Sequence, residues 1–303
     1  MTVYDNIRSL LPQGMVLADE PMSRHTSFKI GGPAEVYVTP ENTMQMSTIW
    51  EACQEAGYPI TILGAGCNVL VADEGIKGVV VTTKRVNQIK IEAPFITVGS
   101  GAKLAGLADA ACKAGLAGLE FASGIPGTVG GAVYMNAGAF NSDMQAVCES
   151  VEVLLPDGRV LNYARKLLDF GYRASRFQGE NTIITAARFK LAPGKSEEIE
   201  AKMNDLNNRR RITQPLSYPS AGSAFKRPAI EGQYASKLID EAGLKGFTIG
   251  GAQVSEKHTG FIINKGNATA ADVLALMEAI KEKVYTSSGI WLEPEVQMIG
   301  FER

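Results

Sequence analysis

Histidine is scarce in this chain. Among 303 residues there are two, His25 and His258. This scarcity argues against a histidine-rich metal site and leaves little material for a Ser-His-Asp mechanism. We therefore expect no bound metal, and any acid–base chemistry has to come from other side chains.

Cysteine is also sparse. The four cysteines, Cys53, Cys67, Cys112 and Cys148, are widely spaced and form no C-x-x-C pair. This pattern is typical of reduced thiols in a cytoplasm and argues against a disulfide framework. The first residues lack the basic start and apolar core of a secretory signal, so we expect a cytoplasmic location.

The chain has no strong excess of either charge. A net charge of −2 and a pI near 5.9 argue against nucleic acid as the main partner. With 45% hydrophobic and 20% charged residues, the composition is that of an ordinary globular protein. Its length predicts roughly two or three domains. We expect a monomer or a weak oligomer without membrane insertion.

Residues 124–138 combine five glycines with one proline and carry no charge. A membrane span does not fit, because the glycines and Pro126 leave too few of the roughly 20 apolar residues that a spanning helix needs. The composition is that of neither a helix nor a strand. Glycines let a backbone wrap closely around a ligand, and unpaired N–H groups form anion-binding nests. A tight structural loop without a ligand remains an equal alternative.

Two further glycine turns follow predicted strands. The strand at 59–63 leads into Gly64-Ala-Gly-Cys-Asn68, and the strand at 95–98 leads into residues 99–101. A strand that feeds a glycine turn commonly presents backbone donors to a phosphate. The first turn lacks the third glycine of G-x-G-x-x-G, so it predicts a nucleotide loop other than the Rossmann type.

Periodicity and capping signals predict the remaining elements. We expect helices at 44–56 and from Thr269, with Asp272 completing a capping box, and a hairpin around 156–158. A further helix has Ser196 as its N-cap and ends in three solvated arginines at 209–211. The chain is predicted to end in a strand at 291–299.

Six segments in order resemble one family. They are GAGCNVL (64–70), GIPGTVGGA with NAG (124–138), YRASRF (172–177), AGSAFK (221–226), LKGFTIGG (244–251) and WLEPEV (291–296). Together they resemble the UDP-N-acetylenolpyruvoylglucosamine reductases, FAD enzymes that make UDP-N-acetylmuramate for peptidoglycan. The resemblance extends from about residue 26 to the C-terminus.

The resemblance implies an α+β protein with the two-domain FAD-binding fold of the vanillyl-alcohol-oxidase, or p-cresol-methylhydroxylase, type and a C-terminal α+β substrate-binding domain. The implied domains are residues 1–84 and 85–212 for FAD, with the C-terminal strand at 296–303 as a candidate addition to the first, and 213–295 for substrate. The family holds FAD noncovalently, which makes His25 and Cys67 weak candidates for a covalent link.

The glycine turns are the implied FAD site, where the backbone supplies most of the donors. The residues are Gly64, Ala65, Gly66, Cys67, Asn68, Gly124, Ile125, Pro126, Gly127, Thr128, Gly130, Gly131, Asn136 and Gly138. For the UDP diphosphate the implied residues are Lys226 and Arg227, although many family members have asparagine in place of Arg227.

The implied reaction is NADPH-dependent reduction of UDP-N-acetylglucosamine enolpyruvate. NADPH gives a hydride to bound FAD, and the hydride then passes to the terminal methylene carbon of the enolpyruvyl ether. By resemblance, Ser223 donates the proton, while Arg173 and Glu295 hold and polarise the substrate carboxylate. The residue chemistry agrees, because a guanidinium offers a planar fork to a carboxylate and a protonated Glu295 could donate a hydrogen bond to the developing charge.

Four residues separate Phe177 from the strand that starts at Thr182. One subclass has an insertion here that closes a tyrosine over the substrate, so this chain resembles the shorter type II subclass with a more open site.

Two other functions remain: a different oxidase of the same fold, and a catalytically inactive protein that binds flavin or a UDP-sugar. Neither would require Arg173, Ser223 and Glu295 together.

Overall fold

A computed structural model describes residues 2–301 of the chain. The helices are α1 (Val3–Ser9), α2 (Thr43–Ala56), α3 (Leu104–Lys113), α4 (Val129–Tyr134), α5 (Met144–Val147), α6 (Ser196–Thr213), α7 (Ala235–Glu241) and α8 (Ala270–Ser288). The strands are β1 (Val16–Pro21), β2 (Pro33–Val38), β3 (Ile60–Leu63), β4 (Val69–Val71), β5 (Ile76–Thr82), β6 (Ile89–Glu92), β7 (Phe95–Gly99), β8 (Leu116–Ala117), β9 (Gly138–Ala139), β10 (Ser142–Asp143), β11 (Cys148–Leu154), β12 (Val160–Ala164), β13 (Ile183–Lys190), β14 (Ala192–Pro193), β15 (Ser220–Ser223), β16 (Thr248–Ile249), β17 (Ala252–Val254), β18 (Phe261–Asn264) and β19 (Gln297–Ile299).

The chain divides into two compact units, each of which is built from separate segments. Of the described residues, unit 1 contains 2–18, 35–65 and 78–210, and unit 2 contains 19–34, 66–77 and 211–301. The glycine turn at 99–101 and the glycine-rich loop at 124–138 therefore belong to unit 1. The three predicted domains, with boundaries after residues 84, 212 and 295, stay a prediction.

A four-stranded sheet in the order β1-β2-β5-β3 lies against α1 and α2. Helix α2 begins at an Asn42 N-cap, whose side chain accepts a hydrogen bond from the Gln45 N–H, and ends at Gly57 with φ +69°. Its Ile49 and Cys53 are buried with Val79 and Val81 of the sheet, and each large side chain buried in this way stabilises the fold by about 1.5–3 kcal/mol.

A five-stranded antiparallel sheet in the order β12-β11-β13-β7-β6 completes the framework of unit 1. The predicted hairpin is confirmed as β11 and β12, in which Leu154 pairs with Val160. Helix α3 packs Leu104, Leu107 and Ala111 into the core beside this sheet. The sheet places the turn after β7, including Ser100, at the start of α3.

Unit 2 contains the antiparallel sheet β15-β18-β17-β16, packed against α7 and α8. The predicted capping box of α8 is confirmed: Thr269 accepts from the Asp272 N–H, and the Asp272 carboxylate accepts from the Thr269 N–H. The apolar stripe of α8, which includes Leu276 and Ile280, is fully buried. A separate parallel pair joins β19 to β4.

The sequence patterns gave three wrong boundaries. The glycine-rich stretch contains a helix, α4, whose Gly130 lies so close to Ser100 that a Cβ atom there would clash. The C-terminal strand covers β19 alone and not 291–299. Ser196 is the first helical residue of α6 and not its N-cap, because its hydroxyl donates to the Cys112 carbonyl oxygen at 2.8 Å.

None of the helices in the described part of the chain combines the length and apolarity needed to cross a membrane. The four cysteines are free thiols. Within residues 2–301 there is no cluster of three or more acidic, cysteine or histidine side chains that could hold a metal ion.

Candidate active site

Gly64, Ser100 and the loop at 124–138, all in unit 1, approach one another closely. The Gly130 N–H donates to the Ser100 carbonyl oxygen at 2.8 Å, and a Cβ atom on Gly130 would lie 2.8 Å from the Ser100 Cβ. A Cβ atom on Gly64 would collide with Thr128 Oγ1. Larger residues at Gly64 and Gly130 would therefore push these segments apart, so glycine at these positions is required by close approach.

Three buried hydroxyl groups, two on these segments and one next to them, have no hydrogen-bond partner in the described residues. They belong to Thr83 after β5, Ser100 after β7 and Thr128 before α4. A buried hydroxyl that lacks a partner costs about 1–3 kcal/mol, so a polar ligand that bonds to these groups would remove this cost. Thr128 was among the predicted cofactor residues, but Thr83 and Ser100 were not. Each of these two hydroxyl residues directly follows a strand, and this position is the signal that could have identified them.

The remaining predicted cofactor residues of unit 1 lie along the same loop. Pro126 is exposed and Gly127 has φ +142°, immediately before α4. Gly131 is exposed on α4, and Gly138 lies in β9. Asn136 is buried at the end of α4. The loop therefore has exposed positions at Pro126 and Gly131 and a buried side chain at Asn136.

The last turn of α6 contacts the start of the loop. Arg210 Nη1 donates to the Gly124 carbonyl oxygen, and Asn207 Oδ1 accepts from Ser123 Oγ at 3.3 Å. Burial lowers the pKa of the Arg210 guanidinium. The expectation of a solvated arginine cap is wrong for Arg210, whose i, i+3 spacing from Asn207 places both side chains on one helix face.

Arg173 lies in a short turn next to the far end of the same loop. The turn is closed by hydrogen bonds between Gly171 and Ala174 in both directions, at 3.0 and 3.2 Å. Arg173 has φ +54°, and its Nη2 donates to the Gly138 carbonyl oxygen at 3.4 Å. Unit 1 thus brings the predicted catalytic arginine to the predicted cofactor loop.

Unit 2 brings Ser223 and Glu295 together. Ser223 ends β15 after Gly222, which has φ +79°. The Glu295 N–H donates to the Ala224 carbonyl oxygen at 2.9 Å, one residue from Ser223. Both side chains are half-buried. The residues that carry this hydroxyl and this carboxyl group therefore lie on neighbouring, hydrogen-bonded segments.

The second half of the first glycine turn lies beside Glu295. Asn68 Nδ2 donates to the Glu295 carbonyl oxygen at 3.2 Å, and the Gln297 N–H donates to the Asn68 carbonyl oxygen at 2.9 Å. Gly66 has φ +71°, and Cys67 is half-buried. Asn68 was predicted from the cofactor loop alone, whereas the structure also places it next to a predicted catalytic residue.

The two predicted diphosphate ligands follow Ser223 on the surface. Lys226 Nζ lies 3.5 Å from a Glu293 carboxylate oxygen. The exposed Arg227 guanidinium lies 5.8 Å from the centre of the Tyr234 ring. These cations are accessible to an anionic ligand, and Tyr234 is a neighbour that the sequence analysis did not identify.

Two family matches cover separate parts of the chain. Residues 34–164 match the FAD binding domain family. Residues 214–299 match the family described as UDP-N-acetylenolpyruvoylglucosamine reductase, C-terminal domain. The first range contains the glycine turns at 64–68 and 99–101 and the loop at 124–138. The second contains Ser223 and Glu295.

Close relatives carry the same description over nearly their whole length. A UDP-N-acetylenolpyruvoylglucosamine reductase from Clostridium botulinum is 49% identical over 95% of this chain and 93% of the relative. One from Caldanaerobacter subterraneus subsp. tengcongensis is 47% identical over 98% of both chains.

Two solved structures show how the fold compares. The UDP-N-acetylenolpyruvylglucosamine reductase of Thermus caldophilus is 37% identical, with a TM-score of 0.80 over 94% of this chain and 98% of that chain. An alkyldihydroxyacetonephosphate synthase is 15% identical, with a TM-score of 0.50 over 63% of this chain and 40% of that chain. The second likeness concerns the fold alone.

Proposed function

The chain belongs to the UDP-N-acetylenolpyruvoylglucosamine reductase family, and from this premise we infer that it reduces UDP-N-acetylglucosamine enolpyruvate to UDP-N-acetylmuramate, with FAD as cofactor and NADPH as hydride donor. It is an FAD-containing oxidoreductase of peptidoglycan precursor synthesis, with the two-domain FAD-binding fold and a C-terminal α+β domain. Four free thiols support a reducing cytoplasm as its location. The observation that carries the proposed mechanism is the hydrogen bond from the Glu295 N–H to the carbonyl oxygen of Ala224, the residue after Ser223 in unit 2.

The chemistry of the glycine turns fits FAD. Gly64 and Gly130 have no side chain that would keep a cofactor from the backbone, and the hydroxyls of Thr83, Ser100 and Thr128 can meet polar atoms of the cofactor. When bound, FAD accepts a hydride from NADPH and supplies it to the enolpyruvyl group. The residues of the first turn, including Asn68, are proposed to hold the pyrophosphate through backbone donors.

The catalytic residues act on the carboxylate and on the carbon next to it. Hydride arrival at the terminal methylene carbon builds negative charge on the adjacent carbon and its carboxylate. Arg173 offers two parallel donors to the carboxylate, and Glu295 helps to hold and polarise the carboxylate as the charge grows. Ser223 Oγ gives its proton to the adjacent carbon, which completes the C–H bond and leaves a serine alkoxide that is reprotonated from solvent.

Lys226 and Arg227 are proposed to bind the UDP diphosphate. Both are cationic, follow Ser223 closely in sequence and are accessible. Arginine and lysine neutralise phosphate charge in different ways: arginine presents a planar pair of N–H donors, and lysine presents a point charge.

The short segment between Phe177 and Ile183 supports the type II subclass, in which the site is more open.

The proposed function is tested by following flavin absorbance without oxygen. NADPH is expected to bleach the purified holoenzyme, and UDP-N-acetylglucosamine enolpyruvate is expected to restore the oxidised spectrum while UDP-N-acetylmuramate forms. UDP-N-acetylglucosamine, which lacks the enolpyruvyl group, serves as the control. If the enolpyruvyl substrate restores the colour no faster than this control, the proposed function is wrong.

Replacing Thr128 with valine is expected to weaken FAD binding by about 5-fold to 10-fold, since one neutral hydrogen bond contributes about 1 kcal/mol. The free energy of unfolding of the cofactor-free protein is expected to stay equal or to rise, because Thr128 Oγ1 has no protein partner among the described residues. Fluorescence titration of the apoprotein with FAD measures the first quantity, and thermal unfolding measures the second.

The matched control is Thr182→Val. Thr182 Oγ1 is also buried without a partner in the described residues, but it precedes β13 and lies outside the glycine turns. Its replacement is expected to leave FAD affinity unchanged. Equal losses of FAD affinity in the two variants would show that Thr128 has no specific contact with the cofactor.

A further inference from the structure

Asn136 is a buried amide at the junction of three segments of unit 1. It follows α4, it is 1% exposed, and it has φ +41°. Its N–H and that of Ala137 bond back to α4 carbonyls at Val133 and Ala132, so it closes the C-terminal end of the helix. Glycine would meet this backbone requirement equally well. The choice of asparagine therefore requires an explanation from its side chain.

The side chain of Asn136 makes three hydrogen bonds to protein. Oδ1 accepts from the Gln145 N–H at 2.9 Å. Nδ2 donates to Asp143 Oδ2 at 3.2 Å and to the Gly171 carbonyl oxygen at 2.8 Å. The orientation of the amide is fixed, because a backbone N–H requires the oxygen on one side and a carbonyl requires the NH₂ group on the other.

Gly171 is the first residue of the turn that carries Arg173. Its carbonyl oxygen accepts from the Ala174 N–H as well as from Asn136. The same turn is held on its other side, where Ser175 Oγ and Gln178 Nε2 donate to the Tyr134 carbonyl oxygen at 2.7 and 3.0 Å. The end of α4 is therefore bonded to both flanks of the arginine turn.

This attachment matters because Arg173 has an unfavourable backbone conformation. A φ of +54° is in the left-handed region, which a large L-residue occupies only when its surroundings impose it. Gln178 Nε2 also donates to the Arg173 carbonyl oxygen at 3.0 Å. The conformation thus depends on contacts made by neighbouring side chains, and the one from Asn136 comes from within the proposed FAD loop.

We propose that Asn136 is a positioning residue that fixes the Arg173 turn onto the cofactor loop and thereby aligns the guanidinium with the substrate carboxylate. This inference rests on the proposed catalytic role of Arg173. It assigns the Asn136 side chain to the arginine turn, whereas the sequence analysis assigned this residue to the cofactor. A misplacement of about 1 Å can cost on the order of 100-fold in rate, so a missing amide has a measurable consequence.

The test uses Asn136→Gly, which keeps the positive φ and removes all three side-chain hydrogen bonds. Reduction of the holoenzyme by NADPH is expected to stay within about 2-fold of native, and reoxidation by the enolpyruvyl substrate is expected to slow by about 10-fold to 100-fold. The matched control is Asn141→Gly, at φ +63° on an exposed position of the neighbouring hairpin, which is expected to change neither rate.

A double-mutant cycle identifies the route of the effect. If Asn136 acts through Arg173, Asn136→Gly is expected to slow reoxidation by less than about 2-fold in an Arg173→Ala background, since coupled residues are non-additive. In the cofactor-free protein, hydrogen exchange at residues 171–178 is expected to be faster in Asn136→Gly than in Asn141→Gly.

The outcomes separate this inference from the proposed function. A native reoxidation rate in Asn136→Gly, or a full additional loss in the Arg173→Ala background, overturns the positioning role while Arg173 keeps its own. If Arg173→Ala itself leaves reoxidation unchanged, the proposed role of Arg173 is wrong, and the inference is wrong with it. Faster exchange at residues 171–178 with unchanged kinetics would show a structural contact that does not serve catalysis, which also contradicts the proposal.

Discussion

Ser223→Ala is expected to slow the substrate-dependent reoxidation of the reduced holoenzyme by about 10²–10⁴-fold, the usual contribution of a positioned proton donor. A developing carbanion is a strong base, so a hydroxyl held in place is a sufficient acid. Ser223 is half-buried at the end of β15, and Glu295 is paired with the residue after it. Alanine removes the donor and leaves the strand in place, so the change concerns chemistry and not folding.

The measurement is stopped-flow flavin absorbance with the two half-reactions followed separately. Reduction by NADPH is expected to proceed at the native rate in Ser223→Ala, because no proton is donated to carbon in that step. Ser220→Ala is the matched control, since Ser220 begins the same strand. If Ser223→Ala is reoxidised at the native rate, Ser223 is not the proton donor, although the chain still belongs to its family.

Much of the fold follows from local signals in the sequence. The Thr269 and Asp272 capping box of α8 and the hairpin of β11 and β12 were each predicted and confirmed. These features depend on residues that are neighbours in sequence, and their physical causes are periodicity, capping and turn chemistry.

The features that sequence reasoning missed depend on distant segments. Helix α4 contains two glycines, and its Gly130 packs against Ser100 of a distant segment. The Arg210 side chain lies on Gly124 because the end of α6 reaches the cofactor loop. Neither contact has a periodic or local signature, so composition alone predicted a loop in the first case and a solvated cation in the second.

The candidate site shows the same division. The glycine content of the sequence predicted the glycine turns. Arg173, Ser223 and Glu295 were identified through the family resemblance and not through their spacing in the sequence. The structure adds that Glu295 is bonded beside Ser223 and also to Asn68. Their roles remain predictions, and the same holds for Thr83 and Ser100, whose buried hydroxyls became visible only in three dimensions.

Arg173→Ala is expected to lower kcat/KM for the enolpyruvyl substrate by about 10²–10³-fold, the effect of removing one strong donor to a developing anion. Arg173→Lys is expected to recover only part of this loss, because an ammonium group keeps the charge but cannot offer two parallel donors to a carboxylate. Both variants keep a side chain with a Cβ atom at φ +54°, so the backbone requirement is similar in the two proteins.

Substrate titration and single-turnover reoxidation measure the two parts of the effect. Arg173 binds the carboxylate before and during the reaction, so we expect KM to rise and kcat to fall together, whereas Ser223→Ala is expected to lower kcat with little change in KM. Arg188→Lys is the matched control, since both guanidinium groups lie over an aromatic ring, that of Arg173 5.1 Å from the Tyr172 centroid and that of Arg188 4.0 Å from the Phe95 centroid, and Arg188 has no proposed role. Added guanidinium is expected to restore part of the rate of Arg173→Ala and none of the rate of Ser223→Ala. An Arg173→Lys protein with native kcat and KM would contradict bidentate recognition and reduce the role of Arg173 to a single positive charge.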